Sequence, residues 1–125
     1  MQTLILVHCS SGPSLRKQIL ADLQSREISS RYRLKVAKQQ KPGRNPGWSS
    51  FEPSDPTVPG ALKVEWDSDT ATLLCRLVTK DPKKLPDELA GLWLRYLFAE
   101  HGNRIHTVLI IPRCSNGLTN HVDQA

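Results

Sequence analysis

The chain has 125 residues, 38% of them hydrophobic, and a formal net charge of +5, a size that fits one domain with a core that needs no disulfide or metal staple. Its three cysteines, Cys9, Cys75 and Cys114, are odd in number, far apart and without zinc-ligand spacing, which argues against a disulfide framework and for a reducing, cytoplasmic compartment. The early apolar run in MQTLILVHCSS has no basic segment before it and is too short for a signal peptide or a bilayer span, so no membrane partner is expected.

Charge is unevenly spread. Residues 1–50 hold nine Lys/Arg against two Asp/Glu, whereas residues 51–102 hold six against nine. A basic first half points to an anionic partner, of which RNA or DNA is the commonest kind, or else to a solvated surface that keeps the chain soluble.

Thr3 to Val7 is a continuous apolar run, the pattern of a strand covered on both faces. Ser10 to Pro13 supply turn and cap chemistry. Leu15, Ile19, Leu20 and Leu23 then recur at helical spacing, with Arg16, Lys17, Asp22 and Arg26 on the other side. Tyr32, Leu34 and Val36 alternate with Arg33 and Lys35, which predicts a half-buried strand with a basic outer face.

Lys41 to Gly60 holds five of the nine prolines and three of the seven glycines, so residues 39–60 read as a long loop that is neither helix nor interior strand. Beyond it, Leu62, Val64 and Trp66 alternate with Lys63 and Glu65, Asp67-Ser68-Asp69 reads as a turn, and Thr72 to Thr79 reads as the returning strand of a hairpin. Pro86, Asp87 and Glu88 mark a helix start, and Leu89, Leu92, Trp93, Tyr96 and Leu97 carry its apolar stripe. His101-Gly102-Asn103 fits its end, with His101 a C-terminal cation. Thr107 to Ile111 is a second continuous apolar run, hence a second central strand ended by Pro112. The expected domain is 1–112, with 113–125 a flexible tail.

The predicted fold is α+β: a two-layer sandwich in which two helices cover one face of a mixed sheet of about five strands, in the order β-α-β-long loop-β-β-α-β.

Three stretches bear on function. Val7-His8-Cys9-Ser10-Ser11-Gly12 resembles the start of the phosphate loop of cysteine-dependent protein phosphatases, which runs His-Cys, five residues, then Arg. Leu15 occupies the arginine position here and Arg16 comes one residue later, a slip of about 100° on a helix. Glu65, Asp67 and Asp69 alternate as ligands of a hard divalent metal can, but Asp-Ser-Asp is also ordinary hairpin chemistry. There is no Walker loop, no Gly-x-Gly-x-x-Gly and no Gly-x-Ser-x-Gly elbow, so no cofactor is expected.

The third stretch is the loop. Lys38, Lys41 and Arg44 interleave with Trp48 and Phe51, offering charge for phosphates and rings for bases; the alternative is that the two rings fold back and pin the loop on the domain. The expected function is a non-enzymatic nucleic-acid-binding protein using Lys41, Arg44 and Trp48, with Arg33 and Lys35 as flanking contacts. A small phosphodiester or phosphate-ester hydrolase, and a protein-binding inhibitor or adaptor, are the alternatives.

Overall fold

Strand alternation and helical stripes decide which side of each element is buried, and here they all converge on one layer. The computed structural model describes residues 2–39 and 47–114. In chain order these form β1 (Gln2–Cys9), α1 (Leu15–Gln24), α2 (Arg26–Tyr32), β2 (Leu34–Gln39), β3 (Trp48–Pro53), β4 (Ala61–Asp67), β5 (Thr72–Val78), α3 (Asp87–His101), a 3₁₀ turn (Gly102–Arg104) and β6 (Ile105–Cys114). The strands make one sheet in the order β2-β3-β4-β5-β1-β6.

The α+β two-layer arrangement is as expected, but several details differ. First, every neighbouring pair is antiparallel, so the sheet is not mixed. β5 and β6 do run parallel to each other, but β1 lies between them, and α3 makes the long crossover that such strands require. Second, Trp48–Pro53 of the proposed loop is a strand, and an interior one, paired with both β2 and β4. Its prolines are tolerated because Pro53 is the last residue of the strand, while Pro56 and Pro59 fall beyond it. Residues 40–46 of that loop lie outside the described residues. Third, the first helical region continues into α2, so Tyr32 is helical and β2 begins at Leu34. Arg33 closes α2 in the left-handed conformation (φ 59°), its N–H donating to the Ser29 carbonyl.

β6 also departs from expectation. It passes Pro112, runs to Cys114 and lies at the sheet edge rather than the centre. Thr3 Oγ1 donates to the Pro112 carbonyl at 2.7 Å, which ties down the irregular end of the pairing. Residues 115–125 of the proposed tail lie outside the described residues.

Leu15, Ile19 and Leu23 of α1 and Leu89, Trp93, Tyr96 and Leu97 of α3 are buried against Ile5, Val7, Leu34, Phe51, Leu62, Val64, Leu73, Cys75 and Leu77 of the strands. Trp93 is the hub. Its ring stacks on Phe51 (centroids 5.9 Å apart) and leans on Tyr96, while its Nε1 donates to Cys75 Sγ at 3.3 Å. α1 and α3 are clamped by Asp22, whose Oδ2 accepts from Tyr96 Oη at 2.6 Å and lies 2.8 Å from His101 Nε2. Tyr32 Oη donates to Glu100 at 2.6 Å and joins α2 to the same helix. Gly60 (φ +121°) is required where it stands, because a Cβ there would sit 3.0 Å from Leu89 Cδ2 and 3.3 Å from the Val78 carbonyl.

Phe51, which the sequence left either exposed for stacking or folded back on the domain, is a core residue with 0% exposure. Phe51→Ala is expected to lower the unfolding free energy by about 3–5 kcal/mol, measured by urea denaturation. A loss below about 1 kcal/mol would match an exposed ring and contradict this packing.

Candidate nucleic-acid interface

With the three described helices on one side, no described element covers the other face of the sheet, and pairing register determines what stands on it. Residues directly opposite on adjacent strands point to the same side. Ser49, Phe51 and Pro53 of β3 are buried toward the helices, so Trp48, Ser50 and Glu52 face outward. Leu62 and Val64 of β4 are likewise inward, and Lys63 and Glu65 outward. On β5, Leu73, Cys75 and Leu77 are buried, and Leu74, Arg76 and Val78 face out.

The registers link these positions into rows that cross the sheet. One row runs Lys38–Ser50–Lys63–Arg76–Leu4–Ile111. The next runs Trp48–Glu65–Leu74–Leu6–Leu109. On the far side of the first row, Lys35 stands opposite Glu52. The face thus divides into a polar half over β2 to β4, carrying Lys35, Lys38, Trp48 and Lys63 together with Glu52 and Glu65, and an apolar half over β5, β1 and β6. Arg76 stands at the border.

Lys63 and Arg76 are direct cross-strand neighbours, an arrangement that places like charges about 5 Å apart at Cβ and is destabilising unless something compensates. Among the described residues neither they nor Lys38 joins an ion pair. The Lys63 ammonium instead lies 4.9 Å from the centroid of the half-buried Trp48 ring, a cation–π contact that holds both side chains over the sheet.

Of the residues expected from sequence, Lys35 and Trp48 lie on this face. Arg33 does not: its left-handed turn sends it to a cavity of about 330 Å³ lined also by Asp55, Val58, Glu88, Leu92 and Arg95. Lys41 and Arg44 lie outside the described residues. Lys63 and Arg76 were missed as site residues. Alternation placed Lys63 on an outer face, but only strand pairing sets it against Arg76.

The other candidate chemistry is not assembled. Asp67 Oδ1 accepts from the Asp69 N–H at 3.0 Å as a turn does, and among the described residues no three His, Cys, Asp or Glu side chains are grouped to hold a metal. Cys9 is 2% exposed, and burial pushes its thiol up despite the nearby Arg104 guanidinium. Arg104 does not stand in for a phosphate-binding arginine. It donates to the Ser10 and Pro13 carbonyls at 3.1 and 2.9 Å and stacks over Trp66, so its donors already hold the strand-to-helix loop. Cys75 is fully buried and pushed up to about 12 by desolvation.

No family model matches the chain, and neither the curated proteins nor the solved structures yield a match. Among the described residues no helix is long and apolar enough to cross a membrane.

Because the thiolate is the reactive form, Cys9 and Cys75 should resist alkylation by iodoacetamide near neutral pH in the folded protein and react once it is unfolded. Mass-spectrometric mapping reads the sites. Rapid native labelling of Cys9 would restore the thiol-enzyme alternative.

Proposed function

We propose that the protein is a non-enzymatic, cytoplasmic binding protein for single-stranded RNA or DNA, and that it binds with the polar half of its open sheet face. The observation that carries this reading is the cross-strand Lys63–Arg76 pair beside Trp48. Like charges held side by side, with no ion-pair partner among the described residues, form a site whose repulsion an anion would relieve. A phosphate chain laid along the Lys38–Ser50–Lys63–Arg76 row meets three cations, and Trp48 in the next row offers a ring on which a base can stack. Lys35 extends the positive surface toward the β2 edge, though Glu52 offsets part of its charge.

A sheet face suits a single strand better than a duplex. Unpaired bases can splay onto a flat platform, whereas a helix or ribbon is the usual reader of a duplex groove. The cytoplasmic assignment rests on cysteine usage, since Cys9 and Cys75 are buried side chains without disulfides.

Fluorescence anisotropy of labelled single strands and their duplexes, titrated across salt concentrations, tests this reading. Three phosphate contacts predict a slope of log K against log salt of about −2 for single strands. Lys63→Glu combined with Arg76→Glu should abolish measurable binding at moderate salt. Trp48→Ala should weaken it by roughly 5- to 150-fold, the range of about 1–3 kcal/mol for one stacked base. No binding at low salt, or equal binding by the double variant, overturns the proposal.

A further inference from the structure

Four charged side chains of both signs surround the cavity of about 330 Å³ beside α3. Glu88 and Arg95 belong to α3, Arg33 closes α2, and Asp55 lies in the turn after β3. Among the described residues none of the four joins an ion pair. Three of them are nonetheless held in place. The Arg95 guanidinium stands 5.9 Å from the Tyr32 ring centroid, a cation–π contact that orients it. Asp55 accepts from the Thr57 N–H and hydroxyl at 2.9 and 2.8 Å, and these bonds, with a smaller pull from Arg33, hold its carboxyl below the usual range. The Arg33 carbonyl accepts from the Ser54 N–H at 3.0 Å, which ties the end of α2 to the turn that carries Asp55.

Two residues on this cavity go against local rules. Arg33 takes the left-handed conformation (φ 59°) at a helix end, where glycine is the usual residue because a Cβ is strained there. Gly91 does the reverse. It sits in the interior of α3, where glycine is the least favourable residue after proline, and a Cβ there would meet nothing within 4 Å. No packing contact therefore requires a glycine at this position. Glu88, Gly91, Leu92 and Arg95 share one face of the helix at i, i+3, i+4 and i+7, so the missing side chain leaves room between the two charges. Residues that break local rules together, on one cavity, mark a site shaped for something other than folding.

We propose that this cavity binds a small zwitterion, an α-amino acid with an aliphatic side chain. A simple anion would meet two carboxylates and a simple cation two guanidiniums, whereas a molecule bearing both charges is matched to all four. Arg33 and Arg95 take the carboxylate, and Asp55 and Glu88 take the ammonium. The alkyl chain lies on half-buried Val58 and Leu92, in the room left at Gly91. The volume is at the small end of ligand pockets, which run about 300–1,000 Å³, so it fits an amino acid rather than a nucleotide. All four charged residues are exposed, and charges in water attract weakly, so the dissociation constant is on the order of 1 mM. The cavity is on the helix side of the sheet, away from Lys63 and Arg76, and its ligand is independent of nucleic-acid binding.

Nuclear magnetic resonance titration of the full chain at constant ionic strength tests the proposal, with L-leucine, N-acetyl-L-leucine and L-leucinamide as probes. The acetyl derivative keeps only the carboxylate, and the amide only the ammonium. L-Leucine should shift amides of residues 54–58 and 88–95 saturably. Each derivative should bind about tenfold more weakly or worse, as loss of a charged hydrogen bond does. Glu88→Gln should weaken L-leucine by a similar factor and narrow its advantage over N-acetyl-L-leucine, a change that a merely structural role would not produce. Gly91→Leu should raise the melting temperature by restoring helix propensity, and abolish binding by filling the cavity. No saturable shift up to about 20 mM L-leucine, equal binding of either derivative, or unchanged binding by Gly91→Leu overturns the inference.

Discussion

The structure depends on how Trp93 is seated. Its ring is fully buried, stacked on Phe51 of β3 and set against Tyr96, and its only polar atom donates to Cys75 of β5. An indole buries a large apolar area but brings one N–H that must find an acceptor. The Cys75 sulfur is a weak acceptor, yet it lies where the helix meets the sheet, so the contact fixes the rotation of α3 as well as its depth. α3 connects β5 to β6, and β6 lies beyond β1 rather than beside β5 because β4 and β1 already pair with both edges of β5.

A second set of constraints lies between the helices. Asp22 of α1 meets both Tyr96 and His101 of α3, and Glu100 meets Tyr32 of α2. Burial and the neighbouring Asp22 carboxylate both hold the Tyr96 phenol up, so it stays a neutral donor. These bonds pull three helices into one layer on one side of the sheet. Among the described residues the opposite face is left uncovered, and it is on that face that Lys38, Lys63 and Arg76 line up beside Trp48.

The open face and the β6 edge are separate features of one arrangement. One half of the face is polar and carries cations; the other is apolar and continues onto the edge strand β6. A two-layer fold leaves both unfilled because its helices are spent on the first face. Strand pairing then decides which residues become neighbours, and here it sets Lys63 against Arg76 and Leu6 against Leu109.

Local pattern was sufficient for much of this. The spacing of Leu89, Trp93, Tyr96 and Leu97 marked α3, the alternation from Leu62 to Trp66 marked β4, and the Asp-Ser-Asp turn marked the hairpin, since each signal lies within one element. The α+β class followed from their order. What the chain alone could not settle was long-range. Trp48–Pro53 has the composition of a loop, but it becomes an interior strand because β2 and β4 on either side satisfy its backbone. Whether Phe51 is exposed or folded back on the domain is not legible locally, because its partner Trp93 is 42 positions away. TVLII looked central because apolar content reports burial and not the presence of a neighbouring strand. Side-chain type and spacing thus determined the elements and the inner face of each, whereas register and strand order, set by contacts between distant residues, decided which outward side chains share a surface.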